Sequence, residues 1–458
     1  MDNSRKKEES LERDDKRYIW HPFTQMREYE RETPLVVREG RGCWLTDIHG
    51  KKYLDGVSSL WCNIHGHRRR EIDAGIRAQL GRIAHSTLLG ISNEPAIRLA
   101  KELVRIAPPG LSKVFYSDNG STAVEVALKM AFQYWRHRGG EFRRKTRFVA
   151  LRNGYHGDTI GAASVGGIDL FHAAFRPMLF KTYFAPSPYC YRCEFGLDRA
   201  RCRWECVAGM EKILRAHGRK IAAVIVEPLV QAAGGMIVAP KGYLKRVENL
   251  CRKHNVLLIA DEVATGFGRT GTMFACEHEG VRPDLLACSK GLTGGYLPLA
   301  ATLSTDNIYD AFLGEFRERK TFFHGHTFTG NPLGCAAALA GLSVFRKDRV
   351  LQRMGPKIEA LRSELKRIGM LPHVGDTRQS GLIGAVELVE DRETKKSFPW
   401  EARTGYRVCQ AARKHGLLIR PLGDVIVIMP PLAISTKELK WMMGVIADCI
   451  REVTERGR

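Results

Sequence analysis

The chain has 458 residues, of which 44% are hydrophobic, 27% charged and 9% aromatic. That composition belongs to an ordinary globular enzyme with more than one domain, and it excludes a fibrous or disulfide-framework protein. The formal net charge is +22, but the densest basic runs, Arg68-Arg69-Arg70 and Arg143-Arg144-Lys145, carry no interleaved aromatics for base stacking, so no nucleic-acid partner is expected.

The amino terminus, MDNSRKKEESLERDDKR, lacks an apolar signal segment, is too acidic for a transit peptide and is expected to be loosely packed. No run approaches the roughly 20 apolar residues that span a bilayer, so no membrane association and a cytoplasmic location are expected. From about Val114 onward, short apolar runs alternate with helical stretches. KVFYS, RFVAL, IAAVIVEP, VLLIADE and PDLLACS are nearly continuous in apolar residues, as strands covered on both faces must be. Between them STAVEVALKMAFQYW and YLKRVENLCRKHN read as helices. The alternation predicts an α/β fold with a mostly parallel sheet covered by helices.

After a helix around Lys357 to Arg367, the pattern changes. GLIGAVELV, the helical RTGYRVCQAARKHG, LLIRP, VIVIMPP and a last helix suit a smaller α+β domain. The expected division is an N-terminal segment 1–70, a large domain 71–347 and a small domain 348–458.

Two strands deliver a polar residue at or just past their carboxyl ends, where ligands sit in open α/β sheets. VLLIADE brings Asp261, and PDLLACSKG brings Lys290. A lysine amine and a carboxylate facing one crevice are what a pyridoxal-phosphate site needs: the amine for the cofactor aldehyde, the carboxylate to keep the pyridine nitrogen protonated. Taken singly, Asp261 suits a loop cap and Lys290 a surface lysine; together they point to the cofactor.

Asn119-Gly120-Ser121-Thr122 lies between a strand and an amphipathic helix, which makes either an anion site at the helix start or an ordinary N-cap. In NGYHGDT, Tyr155 offers a flat face for a ring and Asp158 a hydrogen-bond acceptor; the alternative is a polar turn around a packed tyrosine. In HGHTFTGNP, Gly325 and Thr327 suit phosphate-side donors, or simply a glycine-rich turn. Cys190, Cys193, Cys202 and Cys206 have the spacing of a structural zinc site, or else are reduced thiols in a surface loop.

Taken together, LLIADEVATGFGRTG followed by PDLLACSKGLTGG resembles the class-III aminotransferases, a branch of the fold-type-I pyridoxal-phosphate enzymes. WHPFTQM, DGVSSLWCNIHGH, SDNGSTAVEVALKMAFQYW, NGYHGDTIGAASVG and LLIRPLGDVIVIMPPL resemble its diaminopelargonate synthases. The resemblance implies a large domain, with a small one built from the C-terminal and N-terminal segments. It also implies a homodimer with shared active sites and small-molecule substrates, and a ping-pong amino transfer to 8-amino-7-oxononanoate. Lys290 would be the Schiff-base lysine and proton shuttle, and Asp261 the partner of the pyridine nitrogen. Gly120 and Ser121 would hold the phosphate, with His326 and Thr327 reaching it from the partner subunit. Tyr155 would stack on the ring, Gly325 would line the substrate pocket, and Arg420 would take the substrate carboxylate.

In relatives that use S-adenosylmethionine, a tyrosine follows the WHP motif and an extra tryptophan follows the paired serines. Here Phe23 and Leu60 stand there, while Trp61 remains. The lost phenol and aromatic surface favour L-lysine over S-adenosylmethionine as amino donor. The nearest alternative is another class-III ω-aminotransferase acting on ornithine, 4-aminobutyrate or a diamine. A non-catalytic binding module is disfavoured because Lys290 and Asp261 are intact.

Overall fold

The computed structural model describes residues 2–455. A seven-stranded sheet forms its centre, in the spatial order Leu111–Ser117, Ala300–Thr305, Leu285–Cys288, Leu257–Asp261, Ile221–Val226, Arg147–Leu151, Tyr183–Ala185. Every residue of Ile221–Val226, Leu257–Asp261 and Leu285–Cys288 is buried, because side chains alternate between two covered faces. On one face Ala223, Ile225 and Ile259 pack against Val124, Ala127 and Leu128 of helix Gly120–Arg138. On the other Val224, Val226, Leu258 and Ala260 meet Met210 and Leu214 of helix Glu205–His217 and Leu244 and Val247 of helix Tyr243–Lys253.

One strand runs against the rest: Ala300–Thr305 is antiparallel to both neighbours. The connection 289–299 that precedes it is shorter than the dozen or so residues a parallel crossover requires, so the chain turns straight back. That same turn begins with Ser289 and Lys290. The edge strand Leu111–Ser117 is only partly buried, with Lys113 exposed, so KVFYS is not covered on both faces as expected.

The two ends of the chain share a sheet. Strands Val37–Arg41, Trp44–Asp47 and Lys52–Asp55 form an antiparallel meander, onto which Leu417–Leu418 adds in parallel. The meander was not anticipated, although its signals, GRG and HG between short alternating runs, are present. A second sheet, Val374–Ser380, Ile383–Leu388, Val425–Ile428 and Pro421–Leu422, is wholly antiparallel. Helices Gly355–Ile368, Thr404–Lys414 and Thr436–Glu455 accompany it.

The amino terminus departs from expectation. Asp2–Tyr18 is a helix, and it is tied down: the Glu12 carboxylate lies 2.7 Å from His49 and that of Glu8 lies 3.3 Å from Arg38. Its mixed charges are good helix formers that find partners along the N-terminal meander. Among the described residues, no helix is long and apolar enough to cross a membrane.

Candidate active site

The carboxyl ends of the central strands open into a cleft of about 740 Å³. Lys290, Asp261, Tyr155, Gly120, Ser121, Leu60 and Trp61 all line it. Asp261 ends its strand in register with Ala287 of the next, and Lys290 follows two residues after that neighbour's end at Cys288. Adjacent parallel strands therefore bring the two groups to one place from 29 residues apart in sequence.

Asp261 is buried and held on two sides. His156 Nδ1 lies 2.7 Å from its Oδ2, and the Val263 N–H donates to Oδ1 at 3.1 Å. A carboxylate only accepts, so Nδ1 carries the proton. Lys290 has a backbone φ of +28°, outside the regions comfortable for a side-chain-bearing residue. Burial pulls its ammonium below the ordinary lysine value, while Asp261 and then Glu227 oppose the shift. Its Nζ sits 5.0 Å from the centre of the Trp61 ring.

Trp61 belongs to an unusual turn. Ser58, Ser59, Leu60 and Trp61 have φ of 51°, 47°, 73° and 70°, a left-handed run that costs roughly 1–2 kcal/mol per residue. The surroundings enforce it. Asp55 accepts from the Ser59 N–H at 2.8 Å and the Ser59 hydroxyl at 2.7 Å, and the Ser58 hydroxyl donates to the Met429 carbonyl at 2.7 Å. Fully buried Arg269 donates to the carbonyls of Pro430 at 2.6 Å and Trp61 at 3.2 Å. Strain kept at such expense marks a place where side-chain direction matters, here that of Leu60 and Trp61.

Of the two expectations made of the helix start, the structure shows the N-cap, and it also sets the next two residues on the cleft wall. Asn119 is the N-cap, accepting from Thr122 N–H at 3.1 Å, while Gly120 and Ser121 face the cleft. A Cβ on Gly120 would lie 2.5 Å from Val263 Cγ1, and one on Gly157 would lie 2.2 Å from Ser121 Oγ. The two glycines keep the cradle at the helix N-terminus open, where backbone N–H groups favour an anion. Ser121 Oγ also contacts Thr159 Oγ1 at 2.8 Å, and Thr159 donates to Glu125 Oε1 at 2.5 Å.

The Tyr155 hydroxyl donates to Asp158 at 2.7 Å, as expected of that aspartate. Glu227, beside it, accepts from the N–H groups of Tyr155 at 3.0 Å and Ala232 at 2.8 Å. Burial raises its carboxyl to about 7, with nearby His156 opposing and Asp261 reinforcing the shift.

Other expected site residues lie elsewhere in the single chain. Phe23 is 63% exposed and packs edge-on against Phe171. Gly325 and Thr327 are exposed, and His326 reaches Asp118, a cleft residue, at 2.7 Å. Arg420 is exposed between strands Leu417–Leu418 and Pro421–Leu422. The four cysteines of the expected zinc site stand near one another: the Cys190 thiol feels those of Cys202 and Cys193, and the Cys206 thiol those of Cys202 and Cys190. All are free and half-buried, and among the described residues the one grouping of three candidate ligand atoms within 4.8 Å is His415, Cys449 and Glu452. Cys206 sits in the first turns of its helix beside buried Tyr243, whereas the Cys202 sulfur accepts from the Trp204 N–H at 3.4 Å.

Residues missed in the sequence were His156, Thr159, Glu125, Arg269 and the strained Ser58–Trp61 turn. His156 alone had a local signal, a polar ring enclosed by NGY and GDT next to a buried strand.

A lysine and a carboxylate converging from adjacent strands, over an open helix start, define a pyridoxal-phosphate enzyme of fold type I. The comparisons narrow this. The model of the family "Aminotransferase class-III" matches residues 25–450, and the chain belongs to that family, whose cofactor is pyridoxal 5′-phosphate. An adenosylmethionine-8-amino-7-oxononanoate aminotransferase of Geobacter sulfurreducens is 59% identical over 441 residues, covering 96% of this chain and 97% of the relative. The crystal structure of the enzyme of that name from Methanocaldococcus jannaschii superposes with a TM-score of 0.92 at 47% identity, over 97% of this chain and 99% of that one. An ω-transaminase from Pseudomonas jessenii, solved in complex with PMP, gives 0.93 at 31% identity, over 97% and 98%.

The residues present fit the cofactor. Gly120 and Ser121 at the helix start suit its phosphate, Asp261 its ring nitrogen and Lys290 its aldehyde, within one cleft.

Proposed function

We propose that this aminotransferase transfers an amino group to 8-amino-7-oxononanoate, giving 7,8-diaminononanoate in biotin biosynthesis, with L-lysine as donor. The observation that carries the acceptor is the 59% identity, over nearly the full length of both chains, to a relative named for it. Solved structures titled as transaminases or ω-transaminases stand lower, at 30–36%, so another class-III ω-aminotransferase, acting on ornithine, 4-aminobutyrate or a diamine, is not the favoured reading.

Bound in the cleft, pyridoxal phosphate supplies an aldehyde that takes up an amine and a protonated ring that accepts electrons from a breaking C–H bond. The protein's residues do the rest. The backbone N–H groups at Gly120 and the Ser121 hydroxyl hold the phosphate. Asp261, oriented by His156, keeps the pyridine nitrogen protonated. Lys290, with an ammonium destabilised by burial, gives up a proton readily; its amine accepts one from the substrate carbon and later returns it. Tyr155 stacks on the ring, Trp61 borders the lysine, and Arg420 takes the substrate carboxylate.

The homodimer remains part of this reading. The exposed apolar side chains Leu89, Ile91, Phe323 and Phe328 suit a covered surface, and Gly325, His326 and Thr327 share the segment of the last two, consistent with service in a partner's site. The twelve unpaired cysteines suit a reducing, cytoplasmic setting.

Leu60 lines the cleft without an aromatic face, which supports lysine. The relatives' names support S-adenosylmethionine as a second reading. Absorbance of the cofactor-loaded enzyme separates the two: lysine alone should convert the bound cofactor to its amine form, and conversion by S-adenosylmethionine but not lysine would reverse the donor. Borohydride reduction should fix the cofactor on Lys290; a label on another lysine would undo the site.

A further inference from the structure

A second cavity, of about 770 Å³, is as roomy as the catalytic cleft. It lies between the end of strand Arg147–Leu151 and the segment 163–184, and the amino-transfer chemistry makes no use of it. His172 lines it. This imidazole is 5% exposed, yet neither Nδ1 nor Nε2 has a hydrogen-bond partner. The Thr182 hydroxyl, on the same wall, is likewise buried and unpartnered. Buried polar groups in folded proteins are nearly always satisfied, so two orphans in one cavity indicate an occupant that satisfies them.

The charge of the wall says what kind. Arg152 is paired with Glu194, and Arg176 with Asp169. Arg147 and Lys181 also line the cavity, and among the described residues neither has an ion-pair or hydrogen-bond partner, which leaves two uncompensated cations facing it.

We propose that this cavity is a second binding site, for a small oxyanion of the carboxylate or phosphate class. A His172 N–H and the Thr182 hydroxyl donate to it, and Arg147 and Lys181 balance its charge. The site adjoins the cleft: the His172 ring lies parallel to that of the cleft residue Tyr155, 6.4 Å between centroids and 8° between planes. Occupancy is therefore felt next to the cofactor, although the inference does not depend on which substrates the enzyme uses.

The test uses the cofactor-loaded enzyme, so that the phosphate cradle at Gly120 and Ser121 is already filled. The imidazole resonances of His172, assigned by their loss in His172→Gln, are followed while inorganic phosphate, succinate or, as control, chloride is added at equal ionic strength. A saturable shift with phosphate alone assigns a phosphate ligand, with succinate alone a carboxylate, and with both the oxyanion class. The surface double variant Arg147→Gln/Lys181→Gln should weaken binding by roughly tenfold or more, the effect of losing charge-assisted hydrogen bonds. No shift with either anion, an equal shift with chloride, or undiminished binding in the double variant overturns the proposal.

Discussion

His156 Nδ1 stands 2.7 Å from Asp261 Oδ2, and both side chains are at least nine-tenths buried. The pair spans 105 residues and joins the Tyr155 loop to the central sheet. It fixes the carboxylate oxygen that is not held by the Val263 N–H, so both oxygens are committed before any ligand arrives.

Replacing His156 by phenylalanine keeps the ring and removes that hydrogen bond. A hydrogen bond to a charged group is worth about 1.5–3 kcal/mol, so the catalytic rate should fall roughly 10- to 100-fold. The cofactor absorbance should shift as well, because the ring nitrogen loses a well-placed counter-charge. Steady-state kinetics with absorbance spectra of the loaded variant check both. An unchanged spectrum would show that Asp261 holds its position without the imidazole.

Gly157 has a φ of +124°, and a Cβ there would meet Ser121 Oγ at 2.2 Å and backbone Ser121 Cα at 2.8 Å. Gly157→Ala should therefore push the Ser121 hydroxyl out of the cradle. The expected result is cofactor loss on dialysis, with global stability reduced by about 1–3 kcal/mol for the strained backbone. Cofactor titration of dialysed protein measures it, and partial rescue by excess cofactor would separate a damaged cradle from a damaged fold.

Lys290 and Asp261 were legible because each stands at or just beyond the end of an unbroken apolar run, and a chain that buries such a run must deliver its next polar group at the sheet's edge. The reversed strand was legible in principle from the short connection 289–299. The Ser58–Trp61 turn was not, because four consecutive positive φ values on residues other than glycine leave no trace in composition; Asp55, Met429 and Arg269 impose them from distant segments. Glu125 and Thr159 were hidden for the same reason, their contact being set by helix packing. The cysteines were legible as a group: their spacing suggested a metal, and the loop and the helix start bring the four thiols near enough to act on one another, though no three of them lie within 4.8 Å.

Arg378 ties the second sheet to the wall of the cleft. It donates to Glu387 at 2.6 Å and Asp376 at 2.7 Å, and to the carbonyls of Gly235 at 2.8 Å and Met236 at 3.1 Å, just after cleft residues Ala232 and Ala233. Arg378→Met leaves buried Glu387 with only Arg192 and Tyr189 as partners. Removing one member of a buried ion pair costs about 3–5 kcal/mol, a fall in unfolding midpoint readable by calorimetry. Activity should drop more steeply with temperature than in the parent, since the loosened wall borders the site.

Glu227 gives a pH dependence whose sign follows from burial. Its carboxyl is raised from 4.5 to about 7 in the folded protein, so between those values the folded state binds more protons than the unfolded one, and stability falls as pH rises. Below about 4.5 this contribution is flat because both states are protonated; above about 7 the full penalty of holding an anion in the interior is present, of order 3 kcal/mol. Glu227→Gln carries no titrating group and should lose that slope. Its absolute stability is a poorer guide, because the amide nitrogen faces either the Tyr155 or the Ala232 N–H. Unfolding midpoints of cofactor-free protein, taken across pH 4.5 to 8 for parent and variant, should therefore show the parent losing stability relative to the variant as pH rises, whatever their separation in acid. Parallel curves would mean that the carboxylate is already ionised when the protein folds.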